Sequence, residues 1–272
     1  MIIDAAKIRT FKYAVWEYYQ REKRDFIWRN TADPYDILIS EVMLQQTQTS
    51  RVEIKFPIFL KHFPDFRALA DAPLARVLEV WQGMGYNRRA AYLKKLAEIV
   101  VREYHGVLPR DLKTLVTLPG IGKATAGAVA AFAFNRATPF IETNIRRVYI
   151  HFFFSRKSRV RDEEILRRIE KTLDQKNPRE WYYALMDYGA MLGGLQKNPN
   201  HRSAAYKKQT PFKGSPREIR GTIIKELVGG KILQMDLLEV LFPEQKANIP
   251  AIIEGLKKEN FIKEERGILS LV

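Results

Sequence analysis

Apolar residues recur three and four positions apart through 5–20, 35–46, 50–62, 75–82, 88–103, 123–134, 143–154, 162–172 and 178–192. This is the period of one buried face on an α-helix, and two-residue alternation is scarce. The pattern predicts an all-α region up to about residue 192. Local punctuation agrees: Asp33-Pro34 pairs an N-cap with a first-turn proline, Ala72-Pro73 opens another helix, and Leu118-Pro119-Gly120-Ile121-Gly122 separates two more. From residue 215 the pattern changes. Helices are expected over 216–230, 234–242 and 249–259, followed by short runs Asn260–Glu264 and Ile268–Val272 around a turn at Arg266-Gly267. Three helices and a terminal hairpin suggest a winged-helix module, so the expected class is mainly α with a small C-terminal winged-helix-like domain.

Composition narrows the chemistry. The 272 residues carry 46 Lys and Arg against 31 Asp and Glu, a formal charge of +15, and no cysteine. A hydrophobic content of 46% is enough for a core and argues against disorder. Without thiols, a disulfide framework, a Cys-ligated zinc, an iron–sulfur cluster and a thiol nucleophile are all excluded. The N-terminal stretch has no long apolar run, and no segment reaches the roughly 18 apolar residues that span a bilayer. The chain therefore reads as soluble and cytoplasmic, with no membrane partner. Its charge is uneven: Ser215 to Val272 carry nine basic and nine acidic residues, whereas Gly193 to Gly214 carry Lys197, Arg202, Lys207, Lys208 and Lys213 and no acid. A basic connector over 193–214 thus separates a positive helical region from a neutral domain over 215–272.

Three places carry candidate chemistry. Glu41 lies between Ile37, Leu38 and Ile39 on one side and Val42, Met43 and Leu44 on the other. Desolvation there would raise its pKa and let it hold a proton near neutral pH, as a general acid must; a helix cap or pairing with an Arg such as Arg51 or Arg89 is the structural alternative. In LPGIGKATAGAVAAFAF (118–134), Gly120 and Gly122 are read as a tight turn with positive φ, leading into a helix whose N–H groups and Lys123 suit a phosphate; a plain helix connector is the alternative. Glu142 opens the helix of TPFIETNIRRVYIHFFF (138–154), where an acid is first of all a cap. Together with Glu41, however, it could divide the labour of glycosidic cleavage, one carboxyl protonating a leaving group and the other stabilising a cationic sugar. His151 and its aromatic neighbours read as core.

SEVMLQQTQ (40–48), WQGMGYNRRAAYL (81–93), LPGIGKATAGAVAAFAF (118–134), IETNIRRV (141–148) and ALMDYGAM (184–191) together resemble the helix–hairpin–helix DNA glycosylases, most closely the A/G-mismatch adenine glycosylases of the MutY type. The five motifs follow the family's order and spacing across about residues 5 to 192. The resemblance implies a glycosylase domain over 1–192, with a six-helix bundle from about 30 to 137 and a second lobe of 1–29 plus 138–192. The target nucleotide would be extruded into the cleft between the lobes. Glu41 falls on the acid that protonates adenine, and Asn144 on the family's Asn beside the catalytic carboxylate. Glu142 stands where the family has that carboxylate as Asp, a change of one methylene. Gln46 and Tyr86 match positions that wedge into the duplex, with Gln45 beside them. Gly120, Gly122 and Lys123 match the phosphate clamp, where relatives hold Na+ or K+ through carbonyls, here those of Val116, Leu118 and Ile121.

The departures are informative too. Relatives that also cut the strand place a Schiff-base Lys where this chain has Ala124, and the Lys that traps abasic DNA aligns with Arg146. The four Cys of the family's [4Fe–4S] loop would begin near Gly193, and none is present, so the resemblance implies a cluster-free member that needs no cofactor. The β-rich 8-oxoguanine-recognition domain is replaced by 58 neutral residues. The implied protein is a monomeric, monofunctional glycosylase of base excision repair acting on double-stranded DNA with a mismatched or damaged base, nucleoid-associated in a prokaryote. Its expected target is adenine opposite 8-oxoguanine or guanine. Thymine or uracil opposite guanine, hypoxanthine, and a non-catalytic lesion-binding protein are the alternatives.

Overall fold

The computed structural model describes residues 4–195, 197–208 and 211–272. The first helices are α1 (Ala5–Glu22), α2 (Pro34–Leu44), α3 (Thr49–His62), α4 (Phe66–Asp71), α5 (Leu74–Val80) and α6 (Arg88–Tyr104). After them come α7 (Leu112–Leu115), α8 (Lys123–Phe134), α9 (Thr143–Phe153), α10 (Asp162–Thr172) and α11 (Pro178–Gly193). Every helix expected from periodicity up to residue 192 is present. Two short ones, α4 and α7, carry too few turns for a period to register and are set by caps: Asp65 accepts from Ala68 N–H at 2.7 Å and Asp111 from Thr114 N–H at 3.0 Å. No described helix is long and apolar enough to cross a membrane.

The C-terminal segment runs α12 (Pro216–Val228), β1 (Leu233–Gln234), α13 (Met235–Leu241), α14 (Ile249–Lys258), β2 (Ile262–Glu265) and β3 (Ile268–Leu271). The strands form an antiparallel sheet in the order β1-β3-β2. Arg266 and Gly267 both have positive φ, which matches the turn to the strand twist, and Glu265 pairs with Ile268 across it. The strand β1 was hidden in the sequence because two residues are too few to show alternation.

The chain divides into two compact units, Met1–Glu41 with Pro109–Lys208 and Val42–Leu108 with Gln209–Val272. Residues 30–41 and 109–137 fall in the first unit and 42–108 in the second, and the C-terminal segment groups with 42–108 because α12 packs on α5. In unit 1 an aromatic core of Phe11, Phe132, Phe140, Tyr149, Trp181 and Tyr182 fastens α1, α8, α9 and α11 together. Gly127 is required there: a Cβ would strike the Phe140 ring. Unit 2 buries Phe56, Phe59, Phe63, Trp81, Leu93 and Leu96, and its C-terminal part Ile219, Ile223, Ile253, Leu256 and Phe261.

Residues 200–204 of the connector are tied down by direct bonds within unit 1. Val160 N–H donates to Arg202 O and Ala204 N–H to Val160 O, both at 2.8 Å, Arg202 Nη1 donates to Phe154 O at 2.7 Å, and Asn200 Nδ2 donates to Thr143 O at 3.0 Å. Residues 196, 209 and 210 of the connector lie outside the described residues.

Candidate active site

Asp33 starts α2, accepting from Tyr35 N–H at 2.8 Å. Nearly the whole circumference of α2 is buried at Ile37, Leu38, Ile39 and Ser40, and Glu41, next along the helix, stays partly exposed. Burial pushes its carboxyl up to about 8, the negative charge of Glu142 adds to the effect, and Arg29 opposes it. Among the described residues no hydrogen bond or ion pair holds this carboxyl, so neither sequence alternative, a cap or an Arg pair, applies to it. At neutral pH Glu41 is a protonated acid with a free proton to give.

Glu142 is treated differently. It is the N-cap of α9: Oε1 accepts from Ile145 N–H at 2.7 Å and Oε2 from Asn144 Nδ2 at 3.3 Å. Burial raises its pKa, while the backbone N–H groups of Asn144 and Ile145 and the charges of Arg147 and Arg146 pull it back. The positive end of the α9 dipole also favours the anion. Burial prevails and the Glu142 carboxyl stays above the usual glutamate range, but unlike Glu41 it has hydrogen-bond donors aimed at both oxygens.

Several supporting residues escaped the sequence reading. Asp187 of ALMDYGAM has a fully buried side chain and accepts from Arg29 Nη1 and Nη2 at 2.9 and 2.8 Å and from Arg24 Nε at 2.8 Å. Burial alone would raise its pKa, but hydrogen bonds and charge from Arg29 and Arg24 hold it below the usual carboxylate range. Fixed in this way, the Arg29 guanidinium lies 4.5 Å from the Tyr183 ring centre and acts on Glu41. Asn144 Oδ1 accepts from Arg147 Nη1 at 2.9 Å, and Arg147 Nε donates to Asn198 Oδ1 of the connector at 3.1 Å. Gly189 lets α11 approach α9, because a Cβ there would collide with the Asn144 carbonyl. The signal available in the sequence was a lone Asp in an apolar helix, ALMDYGAM, which demands a cation.

The 118–122 turn of unit 1 joins α7 to α8, with Lys123 and Ala124 exposed at the start of α8. Gly120 has φ +78°, as expected. Gly122 does not: its φ is −84° in extended backbone, open to any residue, and a Cβ added there would meet nothing within 4 Å. Within the turn Leu118 O accepts from Ile121 N–H at 3.1 Å. Arg146 is engaged by Asp162, with Nε–Oδ1 at 2.8 Å and Nη2–Oδ2 at 2.7 Å. His151, expected in the core, is exposed on α9.

In unit 2, Gln46 and Tyr86 both adopt left-handed backbone, φ +54° and +49°, in the loops after α2 and before α6. Non-glycine residues hold this conformation when their surroundings impose it. Here Arg89 does. Its buried guanidinium donates to the carbonyls of Val42, Met43 and Gln45 at 2.7–2.9 Å, to those of Met84 and Gly85 at 3.0 and 3.1 Å, and to Thr47 Oγ1 at 3.0 Å. One side chain thereby fastens both loops, Gln45 included. Burial lowers the Arg89 pKa to about 10, which leaves it charged at neutral pH.

Residues 39–175 match the family model described as HhH-GPD superfamily base excision DNA repair protein. The chain is 34% identical over 186 residues to an adenine DNA glycosylase of Buchnera aphidicola, covering 67% of this chain and 52% of that one. It is 30% identical over 194 residues to a thymine/uracil-DNA glycosylase of Methanothermobacter thermautotrophicus, covering 70% and 88%. Among solved structures, a thermostable thymine-DNA glycosylase superposes with a TM-score of 0.64 at 28% identity, covering 72% of this chain and 93% of that one. The chain spans about half the length of the curated adenine DNA glycosylases it matches. Matched over half its length, across the segment that holds Glu41, the 118–122 turn and Glu142, the chain belongs to the HhH-GPD superfamily of base excision DNA repair proteins.

Proposed function

We propose that this protein is a monofunctional DNA glycosylase that hydrolyses the N-glycosidic bond of adenine flipped out of a pair with 8-oxoguanine or guanine in double-stranded DNA. The observation that carries the reading is the contrast between Glu41 and Glu142: one carboxyl is raised to about 8 and has no hydrogen bond among the described residues, while the other, raised by burial as well, accepts from a helix N-terminus and from Asn144. Glu41 donates its proton to purine N7, the C1′–N9 bond breaks through an oxocarbenium-like state, and Glu142 stabilises the cation. Water adds at C1′ and leaves an abasic site. Asn144 orients the Glu142 carboxylate. Ala124 stands at the lyase position and Arg146 is paired to Asp162, which supports monofunctional chemistry. The 118–122 turn with Lys123 would hold a backbone phosphate, with Na+ or K+ on the carbonyls beneath, while Gln46 and Tyr86 enter the duplex.

An iron–sulfur cluster does not fit this chain, which has no thiolate to ligate one. The connector that would carry it is held instead by Asn200, Arg202 and the Val160–Ser203 bridge. The order α12-β1-α13-α14-β2-β3 supports the winged-helix reading of the tail.

A second reading is supported by coverage: the chain matches 88% of a thymine/uracil-DNA glycosylase. A protonated acid favours the purine, because N7 is a basic lone pair and a thymine leaving group offers none of comparable basicity. The test is single-turnover excision on duplexes with A opposite 8-oxoguanine, A opposite G, T or U opposite G, and hypoxanthine, with Glu41→Gln as control. Adenine loss abolished by Glu41→Gln, with strand cleavage appearing after alkali or heat, is expected. Excision of T or U but not A would transfer the assignment to the second reading, and complete cleavage without alkali or heat would refute monofunctional chemistry.

A further inference from the structure

Within unit 2, the loop that carries Tyr86 is held from a second direction by the C-terminal segment. Arg217, in the first turn of α12, donates through Nη1 to the Tyr86 hydroxyl at 3.1 Å and through Nη2 to the Pro211 carbonyl at 3.3 Å. Two residues beyond Tyr86, Arg88 makes a two-pronged hydrogen bond to the Glu259 carboxylate, which also accepts from Arg220 Nη2 at 2.6 Å. Burial would raise the Glu259 pKa, but the two guanidiniums hold it below the usual range. These contacts meet on a short stretch. Tyr86 and Arg88 flank Asn87, and Arg217 and Arg220 are one turn apart on α12.

Tyr86 is 38% exposed, and a tyrosine that open to solvent ordinarily turns freely about its side-chain bonds. Here one guanidinium lies at its hydroxyl, and the Arg89 guanidinium is 5.5 Å from its ring centre. Its backbone is already fixed at φ +49°. A side chain held at both ends yet left open to solvent is preorganised for a partner, since less freedom is lost when it binds. The neutral charge of residues 215–272 fits this role, because their arginines act on the protein's own loop.

We propose that the C-terminal segment is a clamp on the 81–88 loop, with Arg217 a positioning residue that presets Tyr86 for entry into mispaired DNA. The inference rests on the glycosylase reading of Tyr86 as a wedge.

Fluorescence anisotropy of the full chain tests it on a duplex with A opposite 8-oxoguanine and on its matched counterpart, at several salt concentrations. Arg217→Met and Tyr86→Phe are each expected to weaken mispair binding by about 5–10-fold, and the double variant to bind no worse than either single, as coupled residues do. Arg217→Lys recovers most of the loss, and the salt dependence stays that of the parent. Additive effects, or a salt slope reduced by about one, would show that Arg217 grips a phosphate and would overturn the proposal. So would Arg217→Met binding like the parent while the parent discriminates between the duplexes. Should Arg217→Met not fold, Glu259→Gln, which loosens Arg88 and Arg220 without touching Tyr86, is expected to weaken mispair binding in the same direction; unchanged binding rejects the clamp. A parent that binds both duplexes equally would overturn the wedge reading of Tyr86 and the clamp with it, while the excision assay decides the glycosylase reading separately.

Discussion

Glu41 of unit 1 and Arg89 of unit 2 are both ionisable side chains set against apolar packing, and they are satisfied to opposite degrees. Glu41 has no hydrogen bond or ion pair among the described residues, whereas Arg89 donates to five carbonyls and a hydroxyl. A desolvated carboxyl without partners lowers stability even when partly exposed, so its persistence points to a task that a partner would prevent. A buried charge with every carbonyl in reach does the reverse and makes its surroundings rigid. Catalysis needs a proton that is available; a wedge needs a backbone that does not yield. The same desolvation serves both, raising the acid toward neutrality and leaving the arginine charged.

The largest effect expected from breaking this contrast is at Arg89. Arg89→Met keeps much of the side-chain volume but strands carbonyls of both loops, so unfolding free energy should fall by about 3 kcal/mol. Gln46 and Tyr86 would relax from left-handed backbone, and mispair affinity should fall with them. Denaturant melts together with duplex titrations measure this. A variant as stable as the parent would mean that water or neighbouring groups satisfy those carbonyls, and that Arg89 does not fix the loops.

Replacing Glu41 should move stability in the opposite direction. Its folded pKa of about 8 lies above the usual glutamate value of 4.5, so the folded state retains a proton that the unfolded chain releases between those pH values. Its contribution is therefore intact at acid pH and lost as pH rises through 8. Glu41→Gln, which cannot ionise, should match the parent near pH 4.5 and exceed it by about 1–3 kcal/mol at pH 8 and above. In the parent, single-turnover excision should decline as pH rises through about 8. Thermal melts across pH 5–9 check the first outcome and a pH–rate profile the second. A constant stability gap at every pH would show that Glu41 ionises normally in the fold.

The long helices were legible because each buries one face over several turns, and that repeats in the sequence. Glu41 was legible for a related reason, as a charge between two apolar triplets whose environment follows from the helix alone. What stayed hidden depends on distant partners. Asp187 and Arg29 are far apart in the chain, and each reads as an ordinary charge until the fold places one on the other. Arg89 appeared as a possible mate for Glu41, and its real partners are backbone carbonyls, which no residue type reveals. Gly122 was misread because a glycine in a turn signals backbone freedom, while here it is extended and offers only open space. The strand β1 and the Arg217–Tyr86 contact depend on how the C-terminal segment folds back within unit 2, which local pattern does not encode.

Arg146 falls between the two cases and carries the smallest expected effect. The resemblance assigns it to DNA, yet its guanidinium already makes two parallel bonds to Asp162 across a partly exposed surface. A partly exposed pair of this kind contributes about 0.5–1 kcal/mol. Arg146→Gln should lower stability by that amount. If Asp162 keeps hold of Arg146 when DNA binds, the salt slope of binding stays at the parent value; release to a phosphate in the parent would make the variant's slope smaller by about one. Asp162→Asn separates the two further. It frees the guanidinium without removing it, so tighter DNA binding than the parent at low salt would show that Asp162 restrains a DNA contact, and unchanged binding would make the pair a strut between α9 and α10.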